Sequence, residues 1–329
     1  MTVPVPDDRP KVLVYDPITS LPWSYEADRR ALAAAGVDLL VPDDPEHARS
    51  LLPMADAVIV SSRLPAQDLE LARRCVGICC YSVGMDGVDR ELADRMGIRV
   101  GNVPDYCTDE VSDHALALLL ALQRAIVPMA TAAAAGHWDV RDRPEFYAVR
   151  RLRGQTVGIL GLGRIGIRVA EKCAGFGMHT IAHDPFRTEP VPGTPLVGLA
   201  ELLDRSDAVV ICAAYSPESH HLISTRELAR LRPHCLLVNV SRGAFVDERA
   251  LAQALRDGRL RGAALDVRDP EPPDPAADPL AGLDSVILTQ HIAATSIEAM
   301  ADIHELAAKR VLELLRAGGR LPEPEGIAR

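Results

Sequence analysis

The run Gln155-Thr156-Val157-Gly158-Ile159-Leu160-Gly161-Leu162-Gly163-Arg164-Ile165-Gly166 constrains this chain more than any other stretch. Its first half is short, apolar and β-branched, the mark of a buried strand. Its second half reads G-x-G-x-x-G and leads into an amphipathic pattern over residues 167–176, which predicts a helix. Strand, glycine turn and helix in that order make a phosphate-binding unit. Gly161 permits the tight turn, Gly163 lets backbone approach a pyrophosphate, and Gly166 lets the helix pack close to the strand. The helix N-terminus offers free N–H groups and a positive dipole end. A second strand is predicted over residues 180–183 and ends at Asp184, 21 residues after Gly163. A carboxylate there can accept hydrogen bonds from ribose hydroxyls and repels a 2′-phosphate, so the turn reads as a site for NAD rather than NADP.

The rest of the chain supplies an α/β frame for that unit. Residues 11–100 alternate strands (11–15, 37–41, 57–60, 76–81, 98–100) with helices (23–35, 66–74, 89–95), and they carry no phosphate fingerprint of their own. The loop Ser82-Val83-Gly84-Met85-Asp86-Gly87 follows a strand end, where open parallel sheets bind ligands. Asn102-Val103-Pro104 reads as a crossing point between domains, because proline holds Val103 extended. A long apolar helix over 110–127, capped by Thr108 or Asp109, is expected to be buried between domains. His114 within it reads as a satisfied core histidine. Residues 130–153, with Trp138 and Pro144, form an arm suited to an oligomer contact.

After the fingerprint, strands are predicted over 208–212, 236–240, 262–267 and 285–289. Between them lie helices over 199–204 and 247–257 and one opened by the capping box Ser224-Thr225-Arg226-Glu227. A last helix over 296–316 is expected to return to the first domain. The fold class that follows is α/β, two doubly wound parallel-sheet domains (Rossmann/flavodoxin-like) with a cleft between them. The expected division is residues 1–103, completed by 294–329, as a substrate-binding domain, and 104–293 as the NAD-binding domain.

Composition narrows the function. The chain has 329 residues and a net charge of −10, which argues against binding nucleic acid through phosphate contacts. No apolar run is long enough to span a bilayer, and residues 1–10 lack a signal-like core, so a cytoplasmic protein is expected. Seven scattered cysteines with no C-x-x-C pair read as reduced, buried thiols, and no metal site is expected.

Three polar residues stand at or just beyond predicted strand ends of the second domain: Arg242, Glu271 and His291. In a parallel sheet those ends share one crevice, so residues far apart in sequence can converge there. A guanidinium binds a carboxylate bidentately and polarises a neighbouring carbonyl. An imidazole donates a proton near neutral pH, and a carboxylate beside it fixes its orientation. That set suits reduction of a 2-oxo acid by a nicotinamide. Each residue taken alone also fits an inert surface role.

The chain resembles the D-isomer-specific 2-hydroxyacid dehydrogenases over nearly its full length. The likeness rests on Asn102-Val103-Pro104, the glycine fingerprint, Asn239-Val240-Ser241-Arg242-Gly243, Ala264-Leu265-Asp266-Val267 with Glu271-Pro272, and Thr289-Gln290-His291. The segment from Asn102 to Val111 is similar to the subgroup related to C-terminal binding protein. The resemblance implies Arg242 as the holder of the substrate carboxylate and carbonyl, His291 as acid/base and Glu271 as its orienting partner. It implies that Thr108, Arg164, Ile165, Asp184, Ala213, Ala214, Ser219, Val240, Ser241, Arg242, Asp266, His291 and Ala294 contact NAD, together with the fingerprint glycines Gly161, Gly163 and Gly166. It places backbone N–H groups of Val83 and Gly84 on the substrate carboxylate, and it implies a homodimer.

The chain departs from the family pattern at Gln290 (usually proline), Cys212 (usually histidine) and Ala294, where the co-repressors carry tryptophan. Val83 stands where phosphite-oxidising relatives carry lysine. The reading that follows is NAD-dependent interconversion of a 2-oxo acid and a D-2-hydroxy acid. The alternative is a non-catalytic NAD(H)-sensing binding module related to the co-repressors.

Overall fold

The computed structural model describes residues 9–18, 23–139, 141 and 147–323. Pro144, in the middle of the predicted arm, and residues 1–8 of the N-terminal segment lie outside the described residues. In chain order the elements begin with β1 (Lys11–Val14), α1 (Glu26–Ala34), β2 (Asp38–Leu40), α2 (Pro45–Leu51), β3 (Ala57–Val60), α3 (Ala66–Leu69), β4 (Gly77–Cys80), α4 (Arg90–Arg95) and β5 (Arg99–Asn102). They continue with α5 (Thr108–Gln123), α6 (Ile126–Ala134), β6 (Thr156–Leu160), α7 (Arg164–Gly175), β7 (His179–His183), α8 (Leu199–Arg205), β8 (Ala208–Ile211) and α9 (Thr225–Leu228). The series ends with β9 (Leu236–Asn239), α10 (Glu248–Arg256), β10 (Gly262–Leu265), β11 (Val286–Leu288) and α11 (Ile297–Ala317).

Contacts divide the chain into two units, Met1–Tyr106 with Ser296–Arg329, and Cys107–Thr295. Each is built on one all-parallel sheet, which must be covered on both faces by its crossover helices.

In the first unit the strand order is β2-β1-β3-β4-β5. The strand order reverses between β1 and β3, and Asp16, just past β1, ties the two strand ends together. Its carboxylate accepts from the Ser61 and Ser62 amides at 2.6 Å each and from the Arg63 amide at 3.1 Å. The core includes Val12, Leu32, Ile59, Ile303, Val311 and Leu315. α11 belongs to this unit because glycines in the sheet leave room for it. A Cβ at Gly77 would stand 2.6 Å from Leu314 Cβ, and one at Gly101 would stand 2.5 Å from Arg310 Nε. The core also contains Asp28, which is fully buried and partnered by the Tyr81 hydroxyl and by His304 Nδ1 at 2.5 Å. A carboxylate at that depth is tolerable only with such partners.

In the second unit the order is β11-β10-β9-β8-β6-β7, and the switch point falls between β6 and β8. Leu196 adds a single parallel bridge to Ala182 on the outer side of β7. The core is continuous under β8, β9 and β10, with Val209, Leu237, Phe245, Leu251 and Leu265 among its members.

Several predicted elements come out differently, each for a local reason. The long apolar helix breaks at Ala125, which takes φ 52°, and α6 continues at a 64° bend. Neither Thr108 nor Asp109 caps α5: the N-cap is Cys107, Thr108 is already helical, and the Asp109 carboxylate instead takes Arg168 Nη2 at 2.7 Å. The apolar face of α5 is covered by α7, β9 and β10 of its own unit, where the sequence predicts burial between domains. The capping box at Ser224 does not form. The Ser224 hydroxyl donates to Asp247 Oδ2 at 3.0 Å, and α9 is only four residues long. Asp247 is itself the cap of α10, accepting from the Ala250 amide at 3.0 Å. α3 ends at Leu69, five residues before its predicted end at Arg74. The helix α2 is absent from the sequence reading although its signal is present: Asp44 caps it through the His47 amide at 2.8 Å and Pro45 opens it.

All seven cysteines are free, and burial pushes the thiols of Cys75, Cys80, Cys173 and Cys235 up to about 12. Among the described residues, no single helix is long and apolar enough to cross a membrane.

Candidate active site

The glycine turn sits at the switch point of the second sheet. Gly161 takes φ +89°, and a Cβ there would lie 2.4 Å from Ala213 Cα, so the turn after β6 rests directly on the segment leaving β8. Gly166 lets α7 descend onto the turn, since a Cβ would come within 2.1 Å of the Gly161 carbonyl oxygen. Gly163 is different. It is the N-cap of α7 in extended geometry, with φ −79° and ψ −163°, and a Cβ there would meet nothing within 4 Å. Neither backbone strain nor a protein neighbour requires glycine at Gly163. The space above it, in front of the α7 N-terminus, is the cradle a pyrophosphate would use. Arg164 and Ile165 form the first turn of α7 beside that space.

Asp184 closes the turn from the end of β7. One carboxylate oxygen accepts from the Leu162 amide at 2.9 Å and the other from the Phe186 amide at 3.0 Å. Both contacts fix the carboxylate on the fingerprint and leave it lone pairs for ribose hydroxyls. Arg187 holds the same turn from below through the Leu162 carbonyl at 3.0 Å. On the other side of the switch point, Ala213 is gripped by the Ser241 hydroxyl, which donates to its carbonyl. Ala214 is exposed, and Ser219 lies half-buried with its hydroxyl 3.1 Å from that of Ser216.

The three polar residues come from the ends of adjacent strands β9, β10 and β11. Arg242 follows β9, where buried Asn239 pins the backbone on both sides of it. Asn239 Oδ1 accepts from the Ser241 amide at 3.0 Å, and Nδ2 donates to the Arg242 carbonyl at 2.8 Å. Arg242 Nη1 donates to the Ser241 carbonyl at 2.8 Å, and Val240 is buried beneath. Next to Arg242, a Cβ on Gly243 would be 2.0 Å from the Arg268 carbonyl carbon. Only glycine allows the β9 loop to lie against the segment that leads to Glu271.

His291 stands beyond β11 with φ 54°. Its Nδ1 is 2.8 Å from Glu271 Oε1, which leaves Nε2 as the nitrogen available for chemistry. Both side chains are partly open to solvent, at 45% and 40%.

Asp266 explains how the His291 loop is held. It is 1% exposed, and its carboxylate accepts from the Thr289 hydroxyl at 2.6 Å, the Ile292 amide at 3.0 Å and the Ala293 amide at 3.0 Å. The Asp266 carbonyl also accepts from the His291 amide at 2.8 Å. The resemblance implies a cofactor contact for this residue, and in the structure its carboxylate organises residues 289–293. His114 stands behind it, with Nε2 3.1 Å from the Thr289 hydroxyl and 3.4 Å from Asp266 Oδ1. It is a satisfied histidine, but one that supports the site. Ala294 is half-buried just past this loop.

A second support was not legible in the sequence. Arg268, at 8% exposure, is clamped by Glu248 at 2.8 Å and Asp278 at 2.7 Å. Hydrogen bonding to Arg268 holds the Asp278 carboxyl below its usual range. Glu248 also takes the Asp269 amide at 3.1 Å, so the triad fixes the base of the Glu271 loop.

In the first unit, Val83 and Gly84 follow β4. The Val83 carbonyl accepts from Asn102 Nδ2 at 2.6 Å and the Gly84 carbonyl from the Ser82 hydroxyl at 2.6 Å. With both carbonyls engaged, the two amide N–H groups have no acceptor among the described residues. Two adjacent free donors in a loop make an anion-binding concavity.

The fold and this site define a dinucleotide-binding α/β protein with an arginine, a glutamate and a histidine at neighbouring strand ends. Residues 116–293 match the family described as D-isomer specific 2-hydroxyacid dehydrogenase, NAD binding domain. A glyoxylate reductase of Thermofilum pendens is 35% identical over 268 residues, covering 80% of this chain and 78% of that protein. A D-3-phosphoglycerate dehydrogenase of Archaeoglobus fulgidus is 32% identical over 314 residues, covering 93% of this chain and 57% of that protein. Among solved structures, the D-lactate dehydrogenase of Aquifex aeolicus, complexed with NAD and lactic acid, superposes with a TM-score of 0.81 at 26% identity, covering 94% of this chain and 96% of that one. The chain belongs to the D-isomer-specific 2-hydroxyacid dehydrogenase family, and its cofactor is NAD.

The open space above Gly163 yields a direct test. Gly163→Ala is expected to cost about 1 kcal/mol of stability or less, the scale of an N-cap change. It is expected to weaken NADH binding by roughly tenfold or more, the equivalent of about 1.4 kcal/mol of lost contact. Calorimetric titration and a thermal unfolding curve separate the two effects, and equal NADH affinity in the variant would remove the pyrophosphate from this position.

Proposed function

We propose that the protein reduces a small 2-oxo acid to the D-2-hydroxy acid, with glyoxylate the first candidate, and that His291 is the acid. The observation that carries this reading is the pair His291 Nδ1–Glu271 Oε1 at 2.8 Å, with the His291 loop pinned by Asp266 and with Glu271 following β10, the strand next to the one that Arg242 follows. NADH, when bound, supplies the hydride that reduces the substrate's C2. Arg242 holds the substrate carboxylate and polarises its carbonyl. His291, with Nδ1 engaged by Glu271, presents Nε2–H and passes that proton to the forming alkoxide. Glu271 stabilises the protonated ring and fixes its orientation. In the direction of oxidation, His291 takes the proton back.

Asp184 favours NADH over NADPH by repelling a 2′-phosphate. The substrate choice is supported by the glyoxylate reductase relatives at 35% identity. The test is NADH oxidation by the purified full chain with glyoxylate, hydroxypyruvate, pyruvate and bulkier 2-oxo acids, repeated with NADPH. Turnover with at least one small 2-oxo acid and a clear preference for NADH is expected. No turnover with any of them, or equal rates with NADPH, would overturn the corresponding part of the reading.

We also propose a homodimer formed through the face bearing α6. Ile126, Val127, Trp138 and Leu288 are exposed on or beside it, at 53%, 43%, 79% and 41%. Beside them is an open hollow of about 470 Å³ lined by Val127, Pro128, Thr131, Leu283 and Leu288. Apolar surface of this kind marks an association site.

A further inference from the structure

His220, His221 and Asp269 form a cluster that the reaction does not use. Their ligating atoms all lie within 4.8 Å of one another, and all three side chains are exposed. We propose that this cluster is a binding site for a divalent transition cation of the Zn²⁺ type.

Each member is held where it stands by its backbone. The His220 amide donates to the Pro217 carbonyl at 3.1 Å, closing the turn that carries Ser219. The His221 amide donates to the Ala244 carbonyl at 2.8 Å. The Asp269 amide donates to Glu248 Oε1 at 3.1 Å, and Glu248 is locked by its ion pair with Arg268. The three backbone positions are therefore fixed relative to one another, and a cation would have to order only the exposed side chains.

His221 takes φ 52°, a conformation that side chains larger than glycine rarely adopt. That backbone brings the His221 ring onto the His220 ring, with centroids 3.9 Å apart and planes 19° from parallel. Stacked rings point their nitrogens along nearly parallel planes, so a shared cation requires one of the two exposed imidazoles to turn; the ligating atoms of His220, His221 and Asp269, all within 4.8 Å of one another, then converge on it. The Tyr215 hydroxyl, 3.4 Å from His220 Nδ1, is the kind of neighbour that orients a ligating ring.

The donor chemistry selects the ion. Two neutral imidazoles and one carboxylate suit Zn²⁺, Co²⁺ or Ni²⁺, whereas Mg²⁺ and Ca²⁺ prefer all-oxygen sets. Three protein ligands leave the remaining positions to water. A bound cation would join residues 219–221 to the loop that carries Glu271 two residues after Asp269. It would stiffen the base of that loop without touching the reacting atoms. Binding itself does not depend on the reaction proposed above.

The test uses the untagged full chain, freed of metal by chelation. Zn²⁺ is titrated calorimetrically, and Co²⁺ is followed by its visible absorption. One Zn²⁺ per chain is expected, displacing Co²⁺ from the same site. His220→Ala, His221→Gly and Asp269→Asn are each expected to weaken Zn²⁺ by at least about tenfold. His221→Gly is the decisive variant because glycine accepts this φ without strain. Its metal-free unfolding temperature is expected to stay close to that of the parent, so lost binding is not lost folding. Absence of Zn²⁺ binding in the parent overturns the proposal, and so does equal affinity in His221→Gly and Asp269→Asn. Either result leaves the 2-oxo acid reading untouched.

Discussion

Replacing His291 with asparagine is expected to lower kcat for 2-oxo acid reduction by about 10²–10⁴-fold, the usual worth of a positioned proton donor. NADH affinity is expected to stay near the parent value, because the His291 side chain is engaged by Glu271 and the loop around it is built by Asp266. The φ of 54° at His291 makes asparagine the right replacement. Asparagine tolerates the left-handed region better than other residues with a side chain, so the loop keeps its path. Glu271→Gln keeps an acceptor for Nδ1 and is expected to lose less activity than Glu271→Ala. Arg242→Ala is expected to raise KM for the oxo acid as well as to lower kcat, since a carboxylate holder acts in both states. Steady-state kinetics with NADH fluorescence titration reads all four variants. Parental turnover in His291→Asn would end the assignment of the acid.

The second large effect is expected at Arg268, which touches neither substrate nor cofactor. Arg268→Met leaves Glu248 and Asp278 buried without their counter-charge. Breaking a buried ion pair by removing one partner typically costs about 3–5 kcal/mol. The gap between parent and variant should depend on pH with a definite sign. Hydrogen bonding to Arg268 lowers the Asp278 pKa in the folded state. The stability it contributes is therefore fully present above the unfolded carboxyl value of about 3.9 and is lost as pH falls through the depressed folded value. Urea unfolding at neutral pH should show the full gap, and the same experiment near the acid end should show it narrowed. A pH-independent gap would mean that the loss is one of packing alone. Because Glu248 also holds the Asp269 amide, the variant should loosen the Glu271 loop and lower kcat below the folded fraction's share.

The sequence by itself determined the fingerprint unit and the alternation of strands and helices, and it singled out Arg242, Glu271 and His291, which the structure places at neighbouring strand ends. These are local signals: β-branched runs, glycines at fixed spacing, and polar residues at strand ends. It determined less about helix boundaries, because a cap depends on which acceptor wins a hydroxyl or amide. Ser224 satisfies every local rule for a cap, yet its hydroxyl goes to Asp247, 23 residues away. The bend at Ala125 has no glycine to announce it.

Three things only the tertiary structure decided. Asp266 became the organiser of the His291 loop because β10 and β11 pair in parallel, which sets its carboxylate against the amides of Ile292 and Ala293. Arg268 became a buried ion-pair centre because α10 brings Glu248 beneath a loop that looks merely acidic and proline-rich in sequence. His220, His221 and Asp269 came together because the Ala244 and Glu248 contacts fold two distant loops side by side. In each case the decisive partner lies at least 20 residues away, or on a different strand end. Spacing along the chain carries no record of that proximity, and the physical cause is the parallel sheet, which gathers remote loops at one edge.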